Sequence, residues 1–333
     1  MLNKKILVIG SNSFSGASFC EYLLNNGHEV FGASRSNLVN PVFHQKLYSA
    51  FTDKSFKYFQ IDINKNFDDL TQTIKKEKIN IIVNFAAQSM VGESWESPLD
   101  WLTTNICSLT KLIKYLENSD SLEQFIQFST PEVYGSTDTG WIEEGRQFNP
   151  STPYAVSRAA GDMMLKIYHS EKSFPVKFTR AANVYGKGQP LYRIIPRTIF
   201  SMLTPDKLQL HGGGRSIRSF IHIEDVNIAL AKIIDKGNFG EDYHISTNEL
   251  ISIKDLVKKI CEVTEQNFQD KVNIVPERPG KDQTYALDSK KLRSELKWKD
   301  EISLTHGLKE VVAWIYSNID ELKKQPLKYS HKK

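Results

Sequence analysis

The chain has 333 residues, 40% of them hydrophobic and 25% charged, with a net charge of +4. That length supports a large core and more than one packed unit, and the balance of residues is that of a globular protein. The charge is too weak to point to nucleic acid, no apolar run approaches the roughly 20 residues of a membrane span, and the scattered Cys20, Cys107 and Cys261 fit neither a metal motif nor a disulfide framework. A strand begins almost at once, leaving no room for a signal peptide, so a cytoplasmic location is expected.

Ile6-Leu7-Val8-Ile9 is a short apolar run followed by a Gly/Ser turn, the pattern of a buried parallel strand. Phe14 to Leu24 reads as a helix. Further strands are predicted at Glu29 to Ala33, Tyr58 to Ile61, Ile79 to Phe85, Phe125 to Ser129 and Val176 to Thr179, with helices between them. This alternation implies an α/β fold, a doubly wound parallel sheet (Rossmann) with ligands at the carboxyl ends of its strands. After Arg180 the pattern changes to loops rich in Gly and Pro, then to two amphipathic helices. Ile253, Leu256, Val257, Ile260 and Val263 mark one, with Ser252 and Asp255 as its cap; Leu304, Leu308, Val311, Val312 and Ile315 mark the other. The expected division is a cofactor domain over 1–179 with a return segment at 221–245. A smaller α/β substrate-binding domain covers 180–325, and 326–333 is a disordered tail.

Gly10-Ser11-Asn12-Ser13-Phe14-Ser15-Gly16 lies between the first strand and its helix. A turn of this kind lets backbone amides approach a pyrophosphate at the helix N-terminus. Gly10 and Gly16 are glycines, but the middle position is Ser13; with a negative φ it still fits, and its hydroxyl could donate to a phosphate. Gly10, Ser13, Phe14, Ser15 and Gly16 are therefore cofactor candidates. NAD sites place an acidic residue at the end of the second strand. This chain has Ser34-Arg35-Ser36-Asn37, in which Arg35 can pair with a 2′-phosphate and Ser34 or Ser36 can hydrogen-bond it. NADP is favoured, with NAD the alternative. Asp62 and Ile63 are expected beside the adenine, Ala86 and Ala87 are small enough for close cofactor approach, and Asn105 is a candidate for fixing the backbone there.

Two segments carry acid–base groups. Ser129-Thr130-Pro131-Glu132 follows the fifth strand, and Tyr154-Ala155-Val156-Ser157-Arg158 follows Pro153. Tyr154 and Arg158 are four apart and share one helix face, where a cation lowers the phenol's pKa from about 10. Glu132 can act as a base, and the Thr130 hydroxyl can align a substrate oxygen. The set suits oxidation of a sugar alcohol followed by proton removal at the adjoining carbon. His211 and His222 read as packing or capping residues, Trp95, Trp101 and Trp314 as core or interface residues, and no metal-ligating constellation is present.

Together with Phe85-Ala86-Ala87, Asn183-Val184-Tyr185-Gly186, Arg218-Ser219-Phe220-Ile221-His222, Arg278-Pro279-Gly280-Lys281-Asp282 and Tyr285-Ala286-Leu287-Asp288, these segments resemble the extended short-chain dehydrogenase/reductase family acting on nucleotide sugars. The likeness is strongest to its 4,6-dehydratases of the dTDP-glucose type. It implies catalysis by Thr130, Glu132, Tyr154 and Arg158, and phosphate binding by Asn183, Arg197 and Arg218. It also implies a homodimer built on the helices after strands four and five. In the reaction so implied, C4 is oxidised, water is lost across C5 and C6, and hydride returns to C6. The chain departs from the pattern at Pro131, where the dTDP-glucose type has Asp, and at Arg158, where the family has Lys. It also lacks the acidic and basic pair over Gln88 to Glu93. Glu132 would then serve as both base and acid. A 4-epimerase and a UDP-glucuronate decarboxylase use the same Thr/Tyr pair and remain alternatives, as does a non-catalytic NADP-binding protein.

Overall fold

The computed structural model describes residues 4–331 except 39, 53, 137–139, 146 and 278–285. Its centre is a seven-stranded, all-parallel sheet. The strands of the chain are β1 (Lys5–Ile9), β2 (Glu29–Ser34), β3 (Lys57–Gln60), β4 (Ile81–Asn84), β5 (Gln124–Ser129), β6 (Val176–Ala181), β7 (Asn183–Tyr185), β8 (Leu208–His211), β9 (Ile217–Arg218), β10 (Phe220–His222), β11 (Asp242–Ile245), β12 (Ile251–Ser252) and β13 (Val272–Val275). The sheet runs β11-β6-β5-β4-β1-β2-β3, so its order reverses between β1 and β4 and opens a crevice there. The predicted doubly wound sheet is the observed one.

Alternation along each strand explains both faces. Ile6 and Val8 point to one core, Leu7 and Ile9 to the other, and all four are buried. Each such side chain contributes roughly 1.5–3 kcal/mol relative to exposure. The helices are α1 (Phe14–Asn25), α2 (Gln45–Thr52), α3 (Phe67–Glu77), α4 (Val91–Glu96), α5 (Pro98–Leu102), α6 (Leu109–Leu116), α7 (Pro153–Lys172), α8 (Ile194–Leu203), α9 (Ile223–Lys236), α10 (Ile253–Val263), α11 (Phe268–Lys271), α12 (Lys290–Leu296), α13 (Leu304–Ser317) and α14 (Ile319–Leu322). Helices α1, α9 and α12 cover the first face; α3, α6 and α7 cover the second. A π-helical turn, Thr103–Ser108, joins α5 to α6.

The smaller lobe is built from α8, α10, α13 and the two-stranded pairs β8/β13 and β9/β12. Ser252 caps α10 by accepting from the Asp255 nitrogen at 3.0 Å, and Leu256, Val257 and Ile260 are buried on its inner face. Two features depart from the expected division. Helix α12 packs on the sheet through Leu292 and Leu296, followed by Trp298, although it lies inside 180–325. The segment expected as a disordered tail is docked: Leu327 packs on the small-lobe core and His331 stacks on Trp101. Among the described residues no helix is long and apolar enough to cross a membrane.

Candidate active site

The turn between β1 and α1 leaves no space for side chains at its glycines. Gly10 has a φ of +84°, and a β-carbon there would sit 2.7 Å from the Ala86 nitrogen. One on Gly16 would sit 2.3 Å from the Gly10 carbonyl oxygen. Ser13 has a φ of −73° and caps α1. Its hydroxyl donates to the Gly10 carbonyl at 2.7 Å and accepts from the Gly16 nitrogen at 3.1 Å. The residue expected as a phosphate donor is therefore a lock on the turn, its proton already engaged. Helix α1 has no acidic residue in its first turn, so its positive end suits a diphosphate. Phe14 and Ser15 are half-buried in that same turn.

The end of β2 is tied to this turn by Asn12, a residue that sequence reasoning passed over. Its backbone nitrogen donates to Ser34 Oγ at 3.0 Å, and its amide donates to the Ser36 carbonyl at 3.0 Å and to Asn37 at 2.7 Å. Arg35 is half-buried beside this web, and its charge opposes the burial that pushes the Tyr329 phenol up. Asp62 opens the turn after β3, its Oδ1 accepting from the Asn64 nitrogen at 2.9 Å, and Ile63 leans on the second core. Ala86 and Ala87 are half-buried after β4. Asn105, inside the π-helical turn, accepts from the Gln88 nitrogen at 2.9 Å, donates to its carbonyl at 3.0 Å and donates to Ser157 Oγ at 2.9 Å. It thereby fastens the loop after β4 to α7. A β-carbon on Gly161 would lie 2.7 Å from the Asn105 carbonyl, so glycine is what lets α7 approach this turn.

Thr130, Glu132, Tyr154 and Arg158 converge where β5 ends and α7 begins. Thr130 caps a short 3-10 turn over Pro131–Tyr134, and Pro131 takes its first position, where an N–H would have no partner. The turn rests on Val133, Tyr134, Ile142, Ala159 and Leu287, a small core of its own. Helix α7 starts at Pro153, capped by Thr152, whose hydroxyl accepts from the Ala155 nitrogen at 3.1 Å. This puts Tyr154, Arg158 and Asp162 on one face. The Arg158 guanidinium donates to the Phe128 carbonyl. Ser129 donates to Asp162 at 2.5 Å, and Asp162 is held at 2.6 Å by Arg180, which also pairs with Asp242. These buried links fix α7 against β5.

The balance on Tyr154 differs from the sequence expectation. Burial, the largest influence, pushes the phenol above its usual value, and the Glu132 charge adds to this. Arg158, a hydrogen bond from Thr130 and the charge of Arg193 pull in the other direction without overcoming burial. The cation four residues on moderates a desolvated phenol but does not bring it below about 10.

On the small-lobe side, β7 pairs with β10. The Asn183 nitrogen donates to the Ser219 carbonyl at 3.0 Å, which brings Asn183 beside Arg218. Arg218 is buried, and its Nη1 donates to the Ile217 carbonyl at 2.8 Å. Arg197 on α8 has a buried Nη1 with no hydrogen-bond partner among the described residues. Arg193, four residues earlier, was not foreseen; only the fold brings it to Tyr154. The Arg278 to Tyr285 part of the family-like segments lies outside the described residues. No cluster of His, Cys, Asp and Glu among the described residues is placed to hold a metal.

A protein-family model described as GDP-mannose 4,6 dehydratase matches residues 7–311. The chain is 32% identical over 326 residues to a trifunctional UDP-glucose 4,6-dehydratase/UDP-4-keto-6-deoxy-D-glucose 3,5-epimerase/UDP-4-keto-L-rhamnose-reductase of Arabidopsis thaliana, covering 95% of this chain but only 47% of that protein, about half its length. It is 27% identical to a dTDP-glucose 4,6-dehydratase of Haemophilus influenzae, covering 94% of this chain and 98% of the relative. Among solved structures, a dTDP-glucose 4,6-dehydratase from Streptomyces venezuelae with NAD and TYD bound is similar at a TM-score of 0.88 and 27% identity, covering 95% of this chain and 98% of that one. A UDP-glucuronic acid 4-epimerase from Bacillus cereus, in complex with UDP-glucuronic acid and NAD, is similar at 0.85 and 26%, covering 94% and 99%.

Proposed function

The chain belongs to the GDP-mannose 4,6-dehydratase family, and on that premise we propose that it is a nucleoside-diphosphate-sugar 4,6-dehydratase that converts its substrate to a 4-keto-6-deoxy sugar nucleotide. The observation that carries this reading is Glu132, close enough to the Tyr154 phenol to raise its pKa. A carboxylate beside the oxidising tyrosine is what removal of the C5 proton requires.

The chemistry supplied by a bound nicotinamide is a hydride withdrawn at C4 and restored at C6. Tyr154 accepts the C4 hydroxyl proton while Thr130 holds that oxygen in line. The C4 ketone acidifies C5, and Glu132 takes the C5 proton. Pro131 has no side-chain proton to give, so Glu132 returns its proton to the departing C6 hydroxyl, which leaves as water. The proton first held by Tyr154 then restores C5. Asn183, Arg197 and Arg218 hold the diphosphate. The turn of Gly10, Ser13 and Gly16 fits a dinucleotide pyrophosphate. The carboxylate-free Ser34-Arg35-Ser36 favours NADP over the NAD held by the Streptomyces venezuelae relative.

A 4-epimerase is the second reading, drawn from the likeness to the Bacillus cereus epimerase. Glu132 weighs against it, because inversion at C4 needs no proton from C5. A homodimer is also proposed: Trp95, Leu99, Val156, Met163 and Ile167 are all exposed on α4, α5 and α7, an apolar face suited to a second copy of the chain. Light scattering that finds only monomer at micromolar concentration would remove it. The activity is tested by incubating the purified chain with dTDP-, UDP-, GDP- and CDP-sugars and reading products by mass spectrometry. Loss of one water from one donor supports the dehydratase; unchanged mass with an inverted C4 by NMR supports the epimerase.

A further inference from the structure

The last residues of the described chain cross from one lobe to the other. Leu327 packs on the small-lobe core. Two residues later the Tyr329 ring meets the Tyr192 ring edge-on, centroids 5.5 Å apart, and Tyr192 directly precedes Arg193, the N-cap of α8. His331 then lands on α5 of the sheet lobe. Its ring stacks on Trp101 at 4.9 Å and 29°, and its Nε2 lies 2.7 Å from Asp100 Oδ2. Trp101 is fully buried, and the His331 side chain is only 15% exposed. Four residue steps separate Leu327 from His331, so extended chain spans at most about 14 Å between them. A link this short limits how far the lobes can part.

One cofactor candidate, Arg35, lies within electrostatic reach of this path. Arg35 at the end of β2, Glu93 on α4, and Arg193 all act electrostatically on the Tyr329 phenol, and Arg193 acts on Tyr154 as well. Tyr329, held against Tyr192 beside Arg193, is thus within electrostatic reach of the 2′-phosphate candidate and of a cation that also acts on the catalytic tyrosine. We propose that Leu327–His331 is part of the dinucleotide site, a strap that joins the two lobes across the cleft and slows escape of the bound cofactor. This rests on the dehydratase reading, in which retention has a purpose. Hydride leaves C4 and returns to C6 within one turnover, so a cofactor lost midway would strand an oxidised sugar.

The test is the dissociation rate of NADPH, followed by fluorescence in stopped flow. It compares the wild-type chain, a chain ending at Leu327, and the single variants Tyr329→Ala and His331→Ala. One aromatic pair and one charged hydrogen bond together amount to roughly tenfold in an equilibrium constant, and the effect falls mainly on release. The shortened chain should release NADPH about tenfold faster and each single variant about threefold faster. Equal release from wild-type and shortened chains, or tighter binding by the shortened chain, overturns the strap while leaving the cofactor reading intact. A wild-type chain that binds neither NADPH nor NADH overturns both.

Discussion

The corner around Tyr154 and the small lobe are built from different kinds of element. At the corner, Thr130, Tyr154 and Arg158 sit on a sheet end and a 20-residue helix that are cross-linked underneath by Arg158 to Phe128, Ser129 to Asp162, and Asp162 to Arg180 to Asp242. In the small lobe, Asn183 and Arg218 ride on strands of three and two residues, and Arg197 carries a buried nitrogen without a partner among the described residues. The contrast teaches where precision is stored. Proton transfer tolerates little misplacement, and the corner rests on a frame of buried ion pairs and hydrogen bonds, in which Asp162 Oδ1 and Arg180 Nε have no partner among the described residues. In the small lobe, by the proposed reading, Arg197 Nη1 is the donor that a charged substrate would engage.

The contrast can be broken at several points. The largest effect is expected from Tyr154→Phe, which removes the proton acceptor and should lower kcat by about 10²–10⁴-fold with NADPH binding retained; turnover read by mass spectrometry alongside cofactor titration checks it. Arg180→Met leaves Asp162 buried without its cation and leaves Asp242 only Lys166, and should cost about 3–5 kcal/mol of stability, read in denaturant unfolding. A loss below about 1 kcal/mol would show the frame is not held by this pair.

Acid sharpens the comparison next. His222 and His244 are buried, and desolvation lowers them to about 4 and about 3. Unfolded histidine titrates near about 6.5, so between that pH and the folded values the unfolded chain binds more protons. Stability should therefore fall as pH drops from about 6.5 toward 4, and continue falling toward 3 through His244. His244→Gln should flatten this slope in unfolding measured across that range. On the substrate side, Arg197→Ala should raise KM about tenfold with little change in kcat, because a charged hydrogen bond made equally in ground and transition states is lost. A fall in kcat instead would move Arg197 into the catalytic corner. The smallest effect is expected from Ser13→Ala, about 1 kcal/mol of stability from the lost cap, measured by thermal unfolding. Loss of cofactor affinity far beyond that would restore the phosphate-donor role to its hydroxyl.

Much of this was legible in one dimension. The strands were readable because burial on both faces demands continuous apolar runs, and Ile6–Ile9 or Ile81–Val83 can be little else. Thr130, Glu132, Tyr154 and Arg158 could be grouped because their spacing places each at a strand end or on a helix face. Asn12, Arg193, Asp162 and Arg180 were not legible as site residues. Their partners lie 22 or 24 positions away for Asn12 and 33 and 18 for Asp162, and no local periodicity encodes such pairings. The tail was misread because its polar, lysine-rich composition resembles a solvated end, whereas two rings, Tyr329 and His331, are enough to dock it.

The sequence by itself determined the parallel sheet, the glycine turn and the set of groups available for chemistry, because these follow from local rules of burial, φ and spacing. Only the tertiary structure decided what those groups are doing. It raised the Tyr154 phenol where Arg158 alone would lower it, tied the Ser13 hydroxyl to the Gly10 carbonyl, left Arg197 Nη1 without a partner among the described residues and laid Leu327–His331 from the small-lobe core to Trp101. Desolvation and hydrogen-bond satisfaction depend on everything that surrounds an atom, and that surrounding exists only once distant parts of the chain have come together.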